Sequence, residues 1–146
     1  MVTFHYIEFK AFIQATEDPD KVIQSIVNIA GEEIELERED AEGYYGNPIQ
    51  IVTGKIHRNR EMDAVFDRLP RYVLEELLSS LKRRIDDRCN FYFRLDKQKA
   101  FQEEFELSEG NNTIRARARV ESYPASREKA LDHMQNYLEE RLDEEG

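Results

Sequence analysis

Three arginines alternate with small apolar residues in Ile114-Arg115-Ala116-Arg117-Ala118-Arg119-Val120. Successive side chains of a strand point to opposite faces, so this period of two predicts a strand. One face turns Ile114, Ala116, Ala118 and Val120 toward a core, and the other presents Arg115, Arg117 and Arg119. Guanidinium groups then repeat about every 7 Å, a spacing that suits the phosphates of a nucleic-acid strand. The same row also suits a solvated, salt-bridged sheet face.

Three further groups carry candidate chemistry. Arg58 and Arg60, in His57-Arg58-Asn59-Arg60, stand where a strand gives way to a helix. Free backbone N–H groups and the helix dipole favour an anion there, and a solvated turn capped by Asn59 is the plainer alternative. Tyr44 and Tyr45 sit in the loop Gly43-Tyr44-Tyr45-Gly46-Asn47-Pro48, where they can stack bases or fold back over a sheet edge. Phe91, Tyr92, Phe93, Arg94, Lys97 and Lys99 interleave aromatic and basic residues, as RNA-recognition surfaces do, without the glycines of the ribonucleoprotein motif. Catalytic signals are weak: His5, His57 and His133 are scattered, and there is no His-x-x-x-His pair, phosphate-cradling glycine loop or nucleophile elbow. The expectation is a non-enzymatic protein without cofactor or metal site.

The elements that must position these residues follow from local patterning. Residues 3–15 alternate as a strand with aromatics on both faces, which predicts cover on both sides for part of its length. Asp18-Pro19 reads as N-cap and first helical residue, ahead of an apolar stripe that ends at Gly31. Residues 33–39 form a strand with an anionic outer face, and 49–57 return beside it as a hairpin. Two helices follow, one capped by Asn59 and one opened by Pro70 with a stripe through Leu81 and Ile85. Residues 90–95 are a strand and 96–102 a helical turn. Residues 103–107 pair with 113–123 as a hairpin that sets Glu106 opposite Arg115 and Glu104 opposite Arg117, leaving Arg119 beside neutral Gln102. A helix capped by Ser126 closes the chain. Hairpins joined by helices, without regular βαβ alternation, predict an α+β fold: an antiparallel or mixed sheet with helices mainly on one face.

Composition bounds the rest. The 146 residues suggest one domain, 1–146, with a core that needs no staples. Cys89 is the only cysteine, which excludes an intramolecular disulfide. The chain enters a strand pattern at once and has no apolar run near the length of a membrane span, so a cytoplasmic protein without a signal peptide is expected. The net charge of −10 argues against indiscriminate nucleic-acid binding. The charge is uneven, however: residues 1–50 hold 3 basic and 11 acidic side chains, 51–120 hold 15 and 12, and 121–146 hold 3 and 8. Two readings stand. In one the basic middle binds RNA; in the other the acidic segments meet a basic protein partner.

Four stretches together resemble a known family: Phe4-His5-Tyr6-Ile7-Glu8 with Ala15-Thr16-Glu17-Asp18, Glu42 to Ile49, Phe93-Arg94-Leu95-Asp96-Lys97-Gln98, and Val120-Glu121-Ser122-Tyr123-Pro124. The chain is similar, over nearly its whole length, to an archaeal family described as RNA-binding proteins and exosome subunits. The resemblance implies an α+β fold like that of the large-subunit ribosomal protein that binds the five-S RNA. It also implies RNA as a partner, proteins of an RNA-processing complex, a homodimer and a cytoplasmic setting. Tyr44, Tyr45, Gly46, Asn47, Arg94, Asp96, Lys97 and Gln98 match its motifs as surface-functional positions.

Overall fold

A computed structural model describes residues 4–43 and 46–145, the side chains of Glu144 and Glu145 excepted. Five strands form one antiparallel sheet: β1 (Phe4–Gln14), β2 (Glu35–Glu42), β3 (Pro48–Ile56), β4 (Asn90–Asp96) and β5 (Thr113–Val120). Their order across the sheet is β2-β3-β1-β5-β4. The helices are α1 (Pro19–Ala30), α2 (Asn59–Arg68), α3 (Arg71–Ser79), the single turn α4 (Lys97–Phe101) and α5 (Arg127–Glu145). The α+β class with one antiparallel sheet is as expected.

The inner face of the sheet is the core. Ile7, Phe9 and Ala11 of β1, Phe91, Phe93 and Leu95 of β4, and Ile114, Ala116, Ala118 and Val120 of β5 are all buried. Helices press Ile26, Val65, Phe66, Leu74, Met134 and Leu138 into the same core. Phe4 stacks on Phe66 at 5.4 Å between centroids, and Tyr137 meets both rings edge-on at 5.1 Å. The Tyr137 hydroxyl donates to Asp63 at 2.6 Å. Burial, and then that bond, push its phenol far above the ordinary value, so it remains a neutral donor.

Several local signals operate as read. Asp18 caps α1 by accepting from the Asp20 amide, and Gly31 ends it at φ 102°, a conformation only glycine adopts without strain. Ser126 accepts from the Lys129 amide at the start of α5, and Asp96, read only as the start of a helical turn, caps α4 through the Lys99 amide at 2.9 Å.

Four readings are corrected. Residues 103–107 are not a strand; Leu107 makes an isolated bridge to Leu95 of β4. β5 therefore has no hairpin partner in the segment that precedes it and lies between β1 and β4. Asn59 is not a cap: Arg58 holds the N-cap position of α2 without a side-chain bond. Finally, α3 stops at Ser79. The Ser80 hydroxyl turns back to the Glu76 carbonyl at 2.6 Å, and a 3₁₀ turn, Leu81–Arg83, leads to Ile85, which bridges Phe91.

The two edges of the sheet differ. Beyond β4, the Tyr92 amide donates to Arg84 at 2.9 Å and the Ser108 amide to Arg94 at 3.0 Å, so that edge is covered. Beyond β2, no described strand pairs.

Candidate nucleic-acid interface

No described element packs on the outer face of the sheet, so register alone decides what meets what there. Rows of side chains cross the strands at about 4.8 Å per strand and follow one another about 7 Å apart along them. One row runs Glu35, Lys55, Glu8, Arg117, Tyr92 across β2, β3, β1, β5 and β4. The next row runs Glu37, Thr53, Lys10, Arg115, Arg94.

The first row alternates in sign. Arg117 Nη2 lies 3.2 Å from Glu8 Oε1, and its guanidinium stands 5.7 Å from the centroid of Tyr6, with Lys55 over the same ring at 4.5 Å. At the end of the row the Tyr92 hydroxyl donates to Asp86 at 2.9 Å. Burial works against the Asp86 carboxylate. Bonds from the Asn90 amide, the Tyr92 hydroxyl, the Asn90 side chain and the Arg88 amide outweigh it and hold the carboxyl below its ordinary value.

The second row is cationic across three adjacent strands. Lys10 faces Arg115, and Arg115 faces Arg94. None of the three has an ion-pair partner among the described residues. Lys10 and Arg115 instead flank Phe12, at 5.7 and 5.6 Å from its centroid. This resolves the aromatics read on both faces of β1: Tyr6 and Phe12 are half-buried beneath cations, not beneath a second layer.

The expected arginines thus separate. Arg115, Arg117 and Arg119 share the outer face with Arg94. Arg119, between Tyr6 and Asn90, has no carboxylate partner among the described residues, as read. The register with Glu104 and Glu106 is overturned, because Glu106 instead pairs with Lys99 and accepts from the Tyr72 hydroxyl at 3.3 Å. Arg58 follows β3, lines a surface cleft with Glu8, Glu35 and Lys55 of the first row, and is answered by acids, 3.5 Å from Glu33 and 3.7 Å from Glu61. Arg60 is exposed on the first turn of α2 and does not join the row. Lys97 is removed from the set. It is 3% exposed, and its ammonium donates to the Phe12 carbonyl at 2.7 Å and to Glu17 at 2.8 Å. Its position one residue inside α4 turns it under the sheet end. Tyr44 and Tyr45 lie outside the described residues.

Lys10 is not among the candidate residues that the sequence singled out. The signal was there: Glu8 and Lys10 share one face of β1, in step with Arg117 and Arg115 once β1 is paired with β5.

Fold and face together define an α+β module with a single antiparallel sheet, helices on one side and a partly unneutralised basic patch on the other. Residues 6–120 match the family model described as RNA binding, and the chain belongs to that family. It is 34% identical over 144 residues to RNA-binding protein PAB1135 of Pyrococcus abyssi, covering 92% of this chain and 94% of that protein. Among solved structures it resembles Mth689, a DUF54 protein from Methanothermobacter thermautotrophicus, at TM-score 0.84 and 34% identity over 94% of this chain and 99% of that one. Protein AF2318 from Archaeglobus fulgidus, also DUF54, gives 0.81 and 30% over 92% and 99%.

Proposed function

We propose that this chain is a non-enzymatic, cytoplasmic RNA-binding protein of archaeal RNA processing or translation, and that it takes RNA phosphates on the outer face of its sheet. The observation that carries the reading is the row Lys10, Arg115, Arg94, where three cations from adjacent strands stand together without an acid. Like charges directly opposite one another destabilise a sheet, and a polyanion relieves that repulsion. Arg119 and Arg117 extend the surface along β5. Arg58 and Arg60 act at its periphery, and Tyr44 or Tyr45 supplies a stacking ring. Family membership and the name of the Pyrococcus relative point the same way.

Fluorescence anisotropy with structured and single-stranded RNA over a salt series tests this. Three phosphate contacts give a log–log slope of about −2 for single strands. The triple variant K10Q/R94Q/R115Q makes the slope less negative by about 2. Undetectable binding of the unmodified protein at low salt rejects the proposal.

A second reading, a protein-assembly subunit that pairs with itself or with RNA-processing proteins, rests on the bare acidic strand β2, which suits a basic partner. Partner capture that resists nuclease and fails at high salt would favour it.

A further inference from the structure

A second basic surface lies at the covered edge of the sheet, where residues 84–86 and 106–108 flank β4. Between these flanks the edge opens into a cleft of about 640 Å³, within the range of small-ligand sites. Arg83, Arg84, Arg94, Tyr92, Leu107 and Ser108 line it. Arg94 is also the last residue of the unmatched row, so cleft and face are continuous.

The cleft holds more positive charge than it neutralises. Arg84 is fixed by a bond from its Nε to the Ser80 hydroxyl at 2.6 Å. Burial, and then the neighbouring charge of Arg83, depress its guanidinium from the ordinary value. The lining carries two carboxylates, Glu76 and Glu109. Glu109 pairs with Arg83 at 3.3 Å, but its side chain is 83% exposed, and so open a pair is weak. Its carboxylate stands where an incoming anion would sit. The Tyr92 ring is 41% exposed while its hydroxyl is tied to Asp86, so the ring is held in place with a free surface.

We propose that this cleft is a subsite for one unpaired nucleotide of an RNA held on the sheet face, with the phosphate between Arg83 and Arg94 and the base against Tyr92 and Leu107. The inference rests on the RNA reading of the face. Arginine forks suit phosphate, and an aromatic ring beside an aliphatic wall takes any base by stacking. A paired nucleotide inside a helix cannot enter such a cleft. The ligand class is therefore RNA with an unpaired nucleotide next to a bound stretch.

The test compares a blunt RNA hairpin with the same hairpin carrying a short unpaired extension at its 5′ or 3′ end, by anisotropy, with the unmodified protein, R83Q and E109Q. The extension improves binding by about tenfold, the order expected for one stacked base. R83Q abolishes that gain and leaves blunt-hairpin affinity unchanged. E109Q, which removes the resident carboxylate, increases the gain. Equal affinity for the two RNAs overturns the subsite, as does equal weakening of both by R83Q or an E109Q protein identical to the unmodified one. Failure to bind either RNA rejects the face itself, and the subsite with it.

Discussion

Two neighbouring rows of one sheet treat the same kind of residue in opposite ways. Across Lys55, Glu8 and Arg117 the signs alternate, and Arg117 finds a carboxylate 3.2 Å away. One step along the strands, across Lys10, Arg115 and Arg94, every charge is positive. Both rows lie on the same strands, so neither strand propensity nor core packing distinguishes them. The alternating row is what sheet stability alone would select. The cationic row opposes it, and that opposition, rather than the presence of arginine, is what supports the proposed binding surface. Lys97 completes the series as a cation fully answered by a carbonyl and a carboxylate inside the protein.

The largest effect expected from this contrast falls on the cation that does not face RNA at all. Lys97→Met strips Glu17 of its partner and leaves the Phe12 carbonyl unbonded, at a cost of about 3 kcal/mol by urea denaturation. RNA affinity of the folded fraction stays unchanged. A loss of affinity without a loss of stability would return Lys97 to the binding surface.

Next comes the end of the alternating row. Asp86→Asn removes the charge that gathers the Asn90, Tyr92 and Arg88 donors, and costs about 1 kcal/mol at pH 7. Asp86 titrates below its unfolded value of about 3.9. Its contribution is therefore present above that pH and is lost as pH falls through the lower folded value. The difference between the two proteins closes below about pH 4. A gap that persisted at pH 2 would mean that shape, not charge, does the anchoring.

The smallest effect has the opposite sign. Arg115→Gln relieves repulsion from both Lys10 and Arg94 and raises stability by a few tenths of a kcal/mol, while RNA binding weakens. If stability falls instead, the cation over Phe12 outweighs the repulsion, and the contrast between the rows loses its meaning.

Much of this architecture could be read locally. Period-two alternation located β1, β4 and β5, and Asp18, Pro19 and Gly31 bounded α1, because each signal needs only neighbouring residues. The arrangement of the face could not be read that way. Phe105 and Leu107 alternate with acids as a strand would, yet both are held against the core from a loop, and Leu107 bridges β4. That false hairpin supplied partners for Arg115 and Arg117 and so concealed their true neighbours on β1, about a hundred residues earlier in the chain. Arg83 and Arg84 were hidden differently: a helix running to Ile85 would have placed them on an ordinary solvated flank. Lys97 looked like a surface cation because nothing in its own segment announces the Phe12 carbonyl.

The uncovered β2 edge has a consequence for life at high concentration. An eight-residue strand with unsatisfied backbone groups is a template on which another copy could grow. If two copies of β2 met antiparallel about their midpoint, Glu35 would face Glu42 and Glu37 would face Asp40, setting carboxylate against carboxylate at four of the eight positions, with Arg38 opposite Glu39 as the one attractive match. The acids that leave this strand out of the basic patch thereby also disfavour growth of the sheet in that register.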